Sequence, residues 1–518
     1  MKKRGHRRAA FWEGNARDRA ENHIHRPTGG IIVNSTDLSS RNAEDRHAGV
    51  PDGVLARIAL RFTAWAEKWF PDAFVFAAIA VVVVAVAAFA NGASPAVVTK
   101  AFGDGFWSLI PFTMQMAFVA IGGYVVATSP PAARLIRRFA AMPRTGAGAV
   151  GLIAAVSMIA SLFNWGISLI FSGLLARALA RRGELRMDYR AAGAAGYLGL
   201  GATWALGLSS SAAQLQANPG SLPASLLPIT GVIPFTETIF LWQSMVIALV
   251  LIVISIALCI WSAPSAARTM TAEDLGVSLD AEEEKPAAAA PKQPGEWLEH
   301  APVLTLLIVA LGLGWFVQEF TSKHPIVALS NLNTYNLLFL LLGLLLHWRP
   351  RSFLDAVAKS VPATTGVLIQ FPLYGAIAAL MTAKSSAGVT VADQIAHLFV
   401  SLTTADSFPV FMGIYSAVLG FFIPSGGGKW LLEAPYVMQA ANELKVHLGW
   451  AVQVYNAAEA LPNLINPFWM LPLLGVLGLK ARDIVGFTFL QLIVHLPVVL
   501  FLLWLLAGTL PYTPPVLP

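Results

Sequence analysis

Seven apolar runs, each near the roughly 20 residues a helix needs to cross about 30 Å of hydrocarbon, constrain this chain more than any other feature. They lie at about 71–90, 106–128, 238–262, 298–319, 333–348, 361–383 and 484–508. With no water between lipid tails to satisfy the backbone, such runs fold as α-helices. Composition agrees: 56% of the 518 residues are apolar and 12% charged, about half the charge of a soluble domain. A water-soluble enzyme of several domains is excluded, because 35 basic and 29 acidic residues could not clothe its cores.

The charges are unevenly spread. Residues 1–53 hold 10 of the basic and 7 of the acidic residues. They are expected to form a disordered basic extension and not a signal peptide, since no apolar core follows the basic start. The amphipathic stretch from Val54 reads as the natural beginning. Segment 263–297, rich in Ala, Pro and Glu, reads as a flexible cytoplasmic linker between two halves. The expected organisation is therefore 54–262, linker 263–297, a connecting helix at 298–319, and 320–518. A single cysteine, Cys259, excludes a disulfide framework.

Stretches 191–217 and 449–478 are interrupted by Gly, Pro and hydroxyl residues and read as broken helices. Regions 148–180 and 408–442 each contain two runs of about 14 to 16 residues, joined by FNWGIS (Phe163–Ser168) and IPSGGGKW (Ile423–Trp430). Each pair is either two tilted spans or a re-entrant hairpin whose tip stops near the bilayer centre; the hairpin is the reading carried forward. Nine crossings plus two hairpins then give inner segments 20 Lys and Arg residues from Val54 onward. The outer segments hold four, Lys100, Lys323, Lys384 and Lys445. That bias places the N-terminus in the cytoplasm and the C-terminus outside.

The same order of elements occurs twice: span, span, hairpin, broken span, span. Gln115 and Gln370 are 255 residues apart, Asn164 and Ser425 are 261 apart, and Thr203 and Asn463 are 260 apart. The run at 298–319 has no counterpart and makes the number of crossings between repeats odd. The expected fold is thus all-α and polytopic, with two inverted repeats, each holding a re-entrant helical hairpin and a broken helix. Secondary transporters are built this way.

Half-helix ends inside a membrane offer amides to anions and carbonyls to cations. Hydroxyls, amides and glycines gather at those places: Asn164, Trp165 and Gly166 at the first tip, Thr203 in the first break, Ser425 and Gly426, Gly427 and Gly428 at the second tip, Asn463 in the second break. At tips and breaks we read them as binding groups; elsewhere, as at Gly122 and Gly123, small residues read as helix packing. Lys429 is either the fixed positive charge for a carboxylate or the partner of Glu433. Glu459 is either a protonatable coupling group or a helix-end carboxylate held by backbone amides. Glu433, Gln115 and Gln370 are further coupling candidates, and Asp104 reads as the N-cap of the span beginning at Phe106.

GDGFW (Gly103–Trp107), Gln115-Met116, FNWG (Phe163–Gly166), QFPLYG (Gln370–Gly375), IPSGGGKW and NPFWMLP (Asn466–Pro472), in this order and spacing, resemble the AtoE short-chain fatty acid transporter family from about Val54 to residue 508. The resemblance implies a bacterial inner-membrane carrier for acetoacetate, butyrate or a similar small monocarboxylate. It also implies kinship with the ion-transporter superfamily, hence a homodimer, an elevator-like movement, and coupling to a proton or to a sodium ion near Asn164 and Ser425. No cofactor and no nucleic acid are implied. A dicarboxylate carrier is the alternative within transport. A membrane enzyme is disfavoured because no HExxH motif or acidic cluster lies in the spans, and a passive channel because the polar residues gather at two tips and two breaks.

Overall fold

The computed structural model of the chain describes residue 68 and residues 73–264, 268–279, 293–323, 325–423 and 425–517. The expected N-terminal extension, the start of the first span and much of the linker lie outside these residues. Among the described residues, all of which belong to the unit Pro51–Pro518, regular structure is helical throughout.

In the first half, helix α1 spans Ala73–Ala90, α2 Pro95–Ser108, α3 Ile110–Ala127, α4 Pro130–Ala140, α5 Gly146–Phe163, α6 Trp165–Ala180, α7 Tyr189–Leu198, α8 Ser211–Ala217, α9 Leu227–Thr230 and α10 Trp242–Ser262. The second half begins with α11, Glu296–His300, and α12, Val303–Ser322, followed by α13, Pro325–Ser330, α14, Leu332–His347, α15, Pro350–Ser360, α16, Thr365–Met381, and α17, Val391–Leu402. Helices α18, Phe408–Phe422, α19, Gly426–Glu443, α20, Leu448–Asn463, α21, Pro467–Leu477, and α22, Ala481–Ala507, complete it. All seven sequence-expected spans correspond to helices, with ends shifted by a few residues.

Apolar faces turn outward along these helices. Val82, Leu249, Leu311 and Val317 are each more than half exposed, which water would penalise and lipid does not. Among the described residues, five segments are long and apolar enough to cross a bilayer by themselves: 95–127, 146–163, 242–262, 303–322 and 481–507. Helix α5, at 18 residues, is longer than the arm expected from sequence, because Gly146 and Ala147 extend it behind its Thr145 cap. Between the apolar helices, α4 buries Ile136 and Ala140 and exposes Arg137 and Arg138, the form of a helix lying in an interface.

Local chemistry sets the turns. Asn164 is the single extended residue (φ −159°, ψ 122°) between α5 and α6, closing the first helix with its amide and starting the second with its side chain. Arg182 donates to the carbonyls of Ala140 and Pro143, so α6 returns to the level where α5 began. Helix α7 gives way to a π-type turn at Gly199–Thr203, then a 3-10 turn at Trp204–Leu206 and a further turn, closed by the Ser210 amide on the Gly207 carbonyl, that leads to Ser210, the N-cap of α8. Gly199 is required there: a Cβ would run into the Ser168 hydroxyl and the Ser157 carbonyl. The second break is shorter, Leu464–Asn466 between α20 and α21, with Pro467 opening the new helix.

Asp104 is not the N-cap expected from sequence. It lies within α2, paired with Lys100 one turn earlier at 2.6 Å, while Ser94 caps that helix. The linker also holds structure. The Met270 amide donates to Asp188 Oδ2, Arg181 donates to the Leu279 carbonyl, and Arg177 spans from the Ser278 carbonyl to that of Val476 at the end of α21. Residues 268–279 are thus a strap bound across the base of the first hairpin.

Candidate substrate and coupling site

At the first tip, Asn164 spends all its polar capacity on the protein. Its Oδ1 accepts from the Gly166 and Ile167 amides at 2.8 and 3.1 Å, and its Nδ2 donates to the Val119 carbonyl and the Tyr335 hydroxyl at 3.1 and 3.0 Å. Tyr335 in turn donates to the Phe163 carbonyl at 2.6 Å. The neighbouring hydroxyls behave alike: Ser161 and Thr203 bond each other at 2.8 Å, Ser157 and Ser168 at 3.2 Å, and Ser209 donates to the Ser161 carbonyl. Trp165 meets Trp469 edge-on at 6.1 Å, and Gly166 lies against the Ala120 carbonyl. Gly123 on α3 is a packing glycine whose neighbour is the tip itself, since a Cβ would strike Asn164 Oδ1.

The second tip is different. Ser425 Oγ accepts from the Gly428 amide at 3.2 Å, whereas the amides of Gly426 and Gly427 meet no acceptor among the described residues. The three glycines let large rings close on this backbone: a Cβ at Gly426 would enter the Trp204 indole, and one at Gly428 the Tyr374 ring. Of the buried polar atoms without a partner, Trp204 Nε1 belongs to the indole that closes on Gly426, Trp430 Nε1 to the same helix as the glycines, and Gln453 Nε2 and both side-chain atoms of Asn463 to α20. Each such group costs about 1–3 kcal/mol when left unsatisfied. Asn456 joins the set, donating to Gln453 Oε1 at 2.6 Å and accepting from Ser210 at 3.0 Å. Sequence reading missed Trp204, Tyr335, Gln453 and Asn456. The signal for the last two was present, because Gln453, Asn456 and Asn463 recur at helical spacing on one face of α20.

Lys429 lies one turn inside α19, fully buried. Its Nζ is 2.8 Å from the Ser416 carbonyl, 2.5 Å from Ser416 Oγ, 3.1 Å from Glu433 Oε1 and 2.8 Å from Glu459 Oε2, and it sits 4.4 Å above the Tyr455 ring. Glu433 and Glu459 are also fully buried, and Glu433 Oε2 and Glu459 Oε1 have no hydrogen-bond partner. The Lys429–Glu459 contact is a close ion pair rather than an aligned hydrogen bond. Glu459 is not a helix-end carboxylate: it is one turn before the end of α20 and its partner is a side chain. Lys429 pairs with both acids, not with Glu433 alone. The two glutamines take no part in this cluster. Gln115 bonds Asn333 and Ser221, and Gln370 accepts from Tyr374 at 3.3 Å.

A family model described as short chain fatty acid transporter matches residues 54–506. The chain belongs to that family. A candidate short-chain fatty acid transporter of Escherichia coli (strain K12) is 33% identical over 437 residues, covering 84% of this chain and 96% of that protein. One of Haemophilus influenzae is 30% identical over 462 residues, covering 88% and 100%. Family members are transporters, so the membrane-enzyme alternative falls. Among solved structures, the Alcanivorax borkumensis YdaH transporter aligns with a TM-score of 0.53 at 15% identity, over 85% of this chain and 98% of its own. Neisseria gonorrhoeae MtrF, described within a class of antimetabolite efflux pumps, aligns at 0.56 and 13% identity, over 89% and 100%. At such identities these two establish the fold alone.

Proposed function

We propose that this family member is a secondary active carrier of a small monocarboxylate such as acetoacetate or butyrate, coupled to a proton or sodium ion, in a bacterial cytoplasmic membrane with its N-terminus inside and its C-terminus in the periplasm. The observation that carries the site assignment is the pair of unpartnered amides at Gly426 and Gly427 with the Trp204 indole, its nitrogen also unpartnered, closed against them. The substrate carboxylate takes the Gly426 and Gly427 amides and Trp204 Nε1, and Asn463 at the second break is a further binding group. Ser425 and Gly428 shape the tip; Asn164, Trp165, Gly166 and Thr203 form the opposing frame. Lys429, already held by two carboxylates, acts through coupling instead of as the substrate's counter-ion. It is the one fully buried Lys or Arg among the described residues.

Two inverted repeats with re-entrant hairpins remain the reading of the topology, and reciprocal packing supports it. Helix α1 packs on α16 while α14 packs on α3; α10 packs on α5 while α22 packs on α18; α4 packs on α6 while α17 packs on α19. Trp204 of the first break covers the second tip, and Trp469 beyond the second break meets the first. Such an exchange of partners is what a two-fold axis between halves produces. A homodimer and an elevator-like movement of the tips and breaks complete the proposal.

The test is counterflow of labelled acetoacetate in vesicles of purified protein. Unlabelled acetoacetate or butyrate should compete and succinate should not, and Asn463→Ala should lower uptake at least tenfold, equivalent to about 1.4 kcal/mol of lost binding. Competition by succinate alone would overturn the substrate class, and full uptake by Asn463→Ala the site.

A further inference from the structure

The Lys429–Glu433–Glu459 cluster does not balance its charge. One ammonium faces two carboxylates, and all three side chains are completely buried. No other Lys, Arg, Asp, Glu or His side chain meets them among the described residues. The titratable groups facing the cluster from the surrounding helices are phenols: Tyr374 of α16, Tyr415 of α18, Tyr436 of α19 and Tyr455 of α20, with Tyr415 and Tyr436 bonded to each other at 2.9 Å. An uncompensated buried charge is costly enough that such a group neutralises. Neutrality requires one more positive charge.

Space decides which cation supplies it. Lys429 Nζ already occupies the centre of the available oxygens. Behind it Gly420 of α18 is so close that a Cβ there would be 2.9 Å from Glu459 Oε2 and 3.4 Å from Lys429 Cε, and the Tyr455 ring closes another side. A sodium ion with a shell of oxygens has no room, whereas a proton needs none. The two acids are also unequal: Glu433 Oε1 accepts from Ser416 Oγ as well as from Lys429, while Glu459 has Lys429 alone. Fewer donors to the charged form make Glu459 the better proton acceptor. It stands one turn before Asn463 on α20, and its partner Lys429 lies in the first turn of the helix that the second tip opens.

We propose that Glu459 carries one proton in step with one monocarboxylate, so that transport is electroneutral and driven by a pH gradient. The proton leaves the aqueous phase on one side, forms the Glu459 carboxylic acid, and returns to water on the other side when the carboxylate reforms against Lys429. One positive and one negative charge cross together. The inference rests on the monocarboxylate reading above and deepens it.

Vesicles of the purified full chain test it, with protein-free vesicles subtracting passage of the undissociated acid. In the wild type, an inward proton gradient should drive labelled acetoacetate uphill. A potassium–valinomycin potential or a sodium gradient at equal pH should not. Uphill movement driven by sodium or by potential overturns the inference without touching the substrate class. Absence of protein-dependent counterflow in the wild type overturns the monocarboxylate reading and this inference with it. Glu459→Gln cancels the surplus charge and is expected to lose uphill accumulation while counterflow continues; retained pH-driven accumulation overturns the inference. Should Glu459→Gln lose both, Glu433→Gln, which cancels the same surplus charge, decides: counterflow without accumulation supports the charge count, and any other result overturns it.

Discussion

Asn164 shows how a residue can look like a ligand group and work as a bracket. It caps α6 through two amides and holds the Tyr335 hydroxyl and the Val119 carbonyl, tying the first tip to α14 and α3. Asn164→Ala therefore removes an N-cap and leaves a buried carbonyl and hydroxyl underbonded, at a cost of about 1–3 kcal/mol. The melting temperature of the detergent-solubilised protein should fall. Lost uptake at an unchanged melting temperature would instead mean that Asn164 contacts substrate directly. Asn463, by contrast, accepts at its backbone carbonyl from the Tyr197 hydroxyl at 2.7 Å and the Asn466 amide at 3.3 Å, and keeps its side chain free. The motif reading treated the two asparagines alike, because a sequence does not show which amide has been used up.

At the scale of elements, the decisive pieces are the interruptions. The α5–α6 tip, the π-type turn after α7 and the short break after α20 place non-helical backbone beside buried polar side chains, an arrangement tolerated in a membrane only where protein or a cavity surrounds it. The strap at 268–279 works at the other end of the first hairpin. Arg177 is its main tie, bonding strap and α21 together. Arg177→Ala should release the strap, so limited proteolysis of the solubilised protein should cut within 268–279 faster than in the wild type. An unchanged cleavage rate would show that Arg181 and Asp188 hold it unaided. Sequence composition gave no hint of this docking: the ties run to backbone carbonyls, which every residue possesses.

For the whole molecule, the bias of basic residues makes orientation testable. Cys259 is buried and free, so single cysteines introduced at exposed positions can be read against a low background. Arg186→Cys should react with an impermeant maleimide only after the cytoplasmic face is opened, and Lys384→Cys in intact cells. The reverse pattern would invert the proposed topology. Orientation and coupling are linked, since an electroneutral carrier takes its direction from the pH difference across the membrane in which it sits.

The sequence by itself determined the medium, the approximate position of the helices, the places where they break and the family. Each of these depends on local pattern: apolar run length, a glycine or proline at an interruption, a motif within a few residues. Tertiary structure alone decided which polar groups are spent and which are free. Lys429 and Glu459 are 30 residues apart on different helices. Their meeting, the surplus carboxylate it creates, and the closing of Trp204 over Gly426 arise only when α18, α19, α20 and the first break pack together. Burial turns a scattered charge count into a local imbalance, and that imbalance exists only in three dimensions.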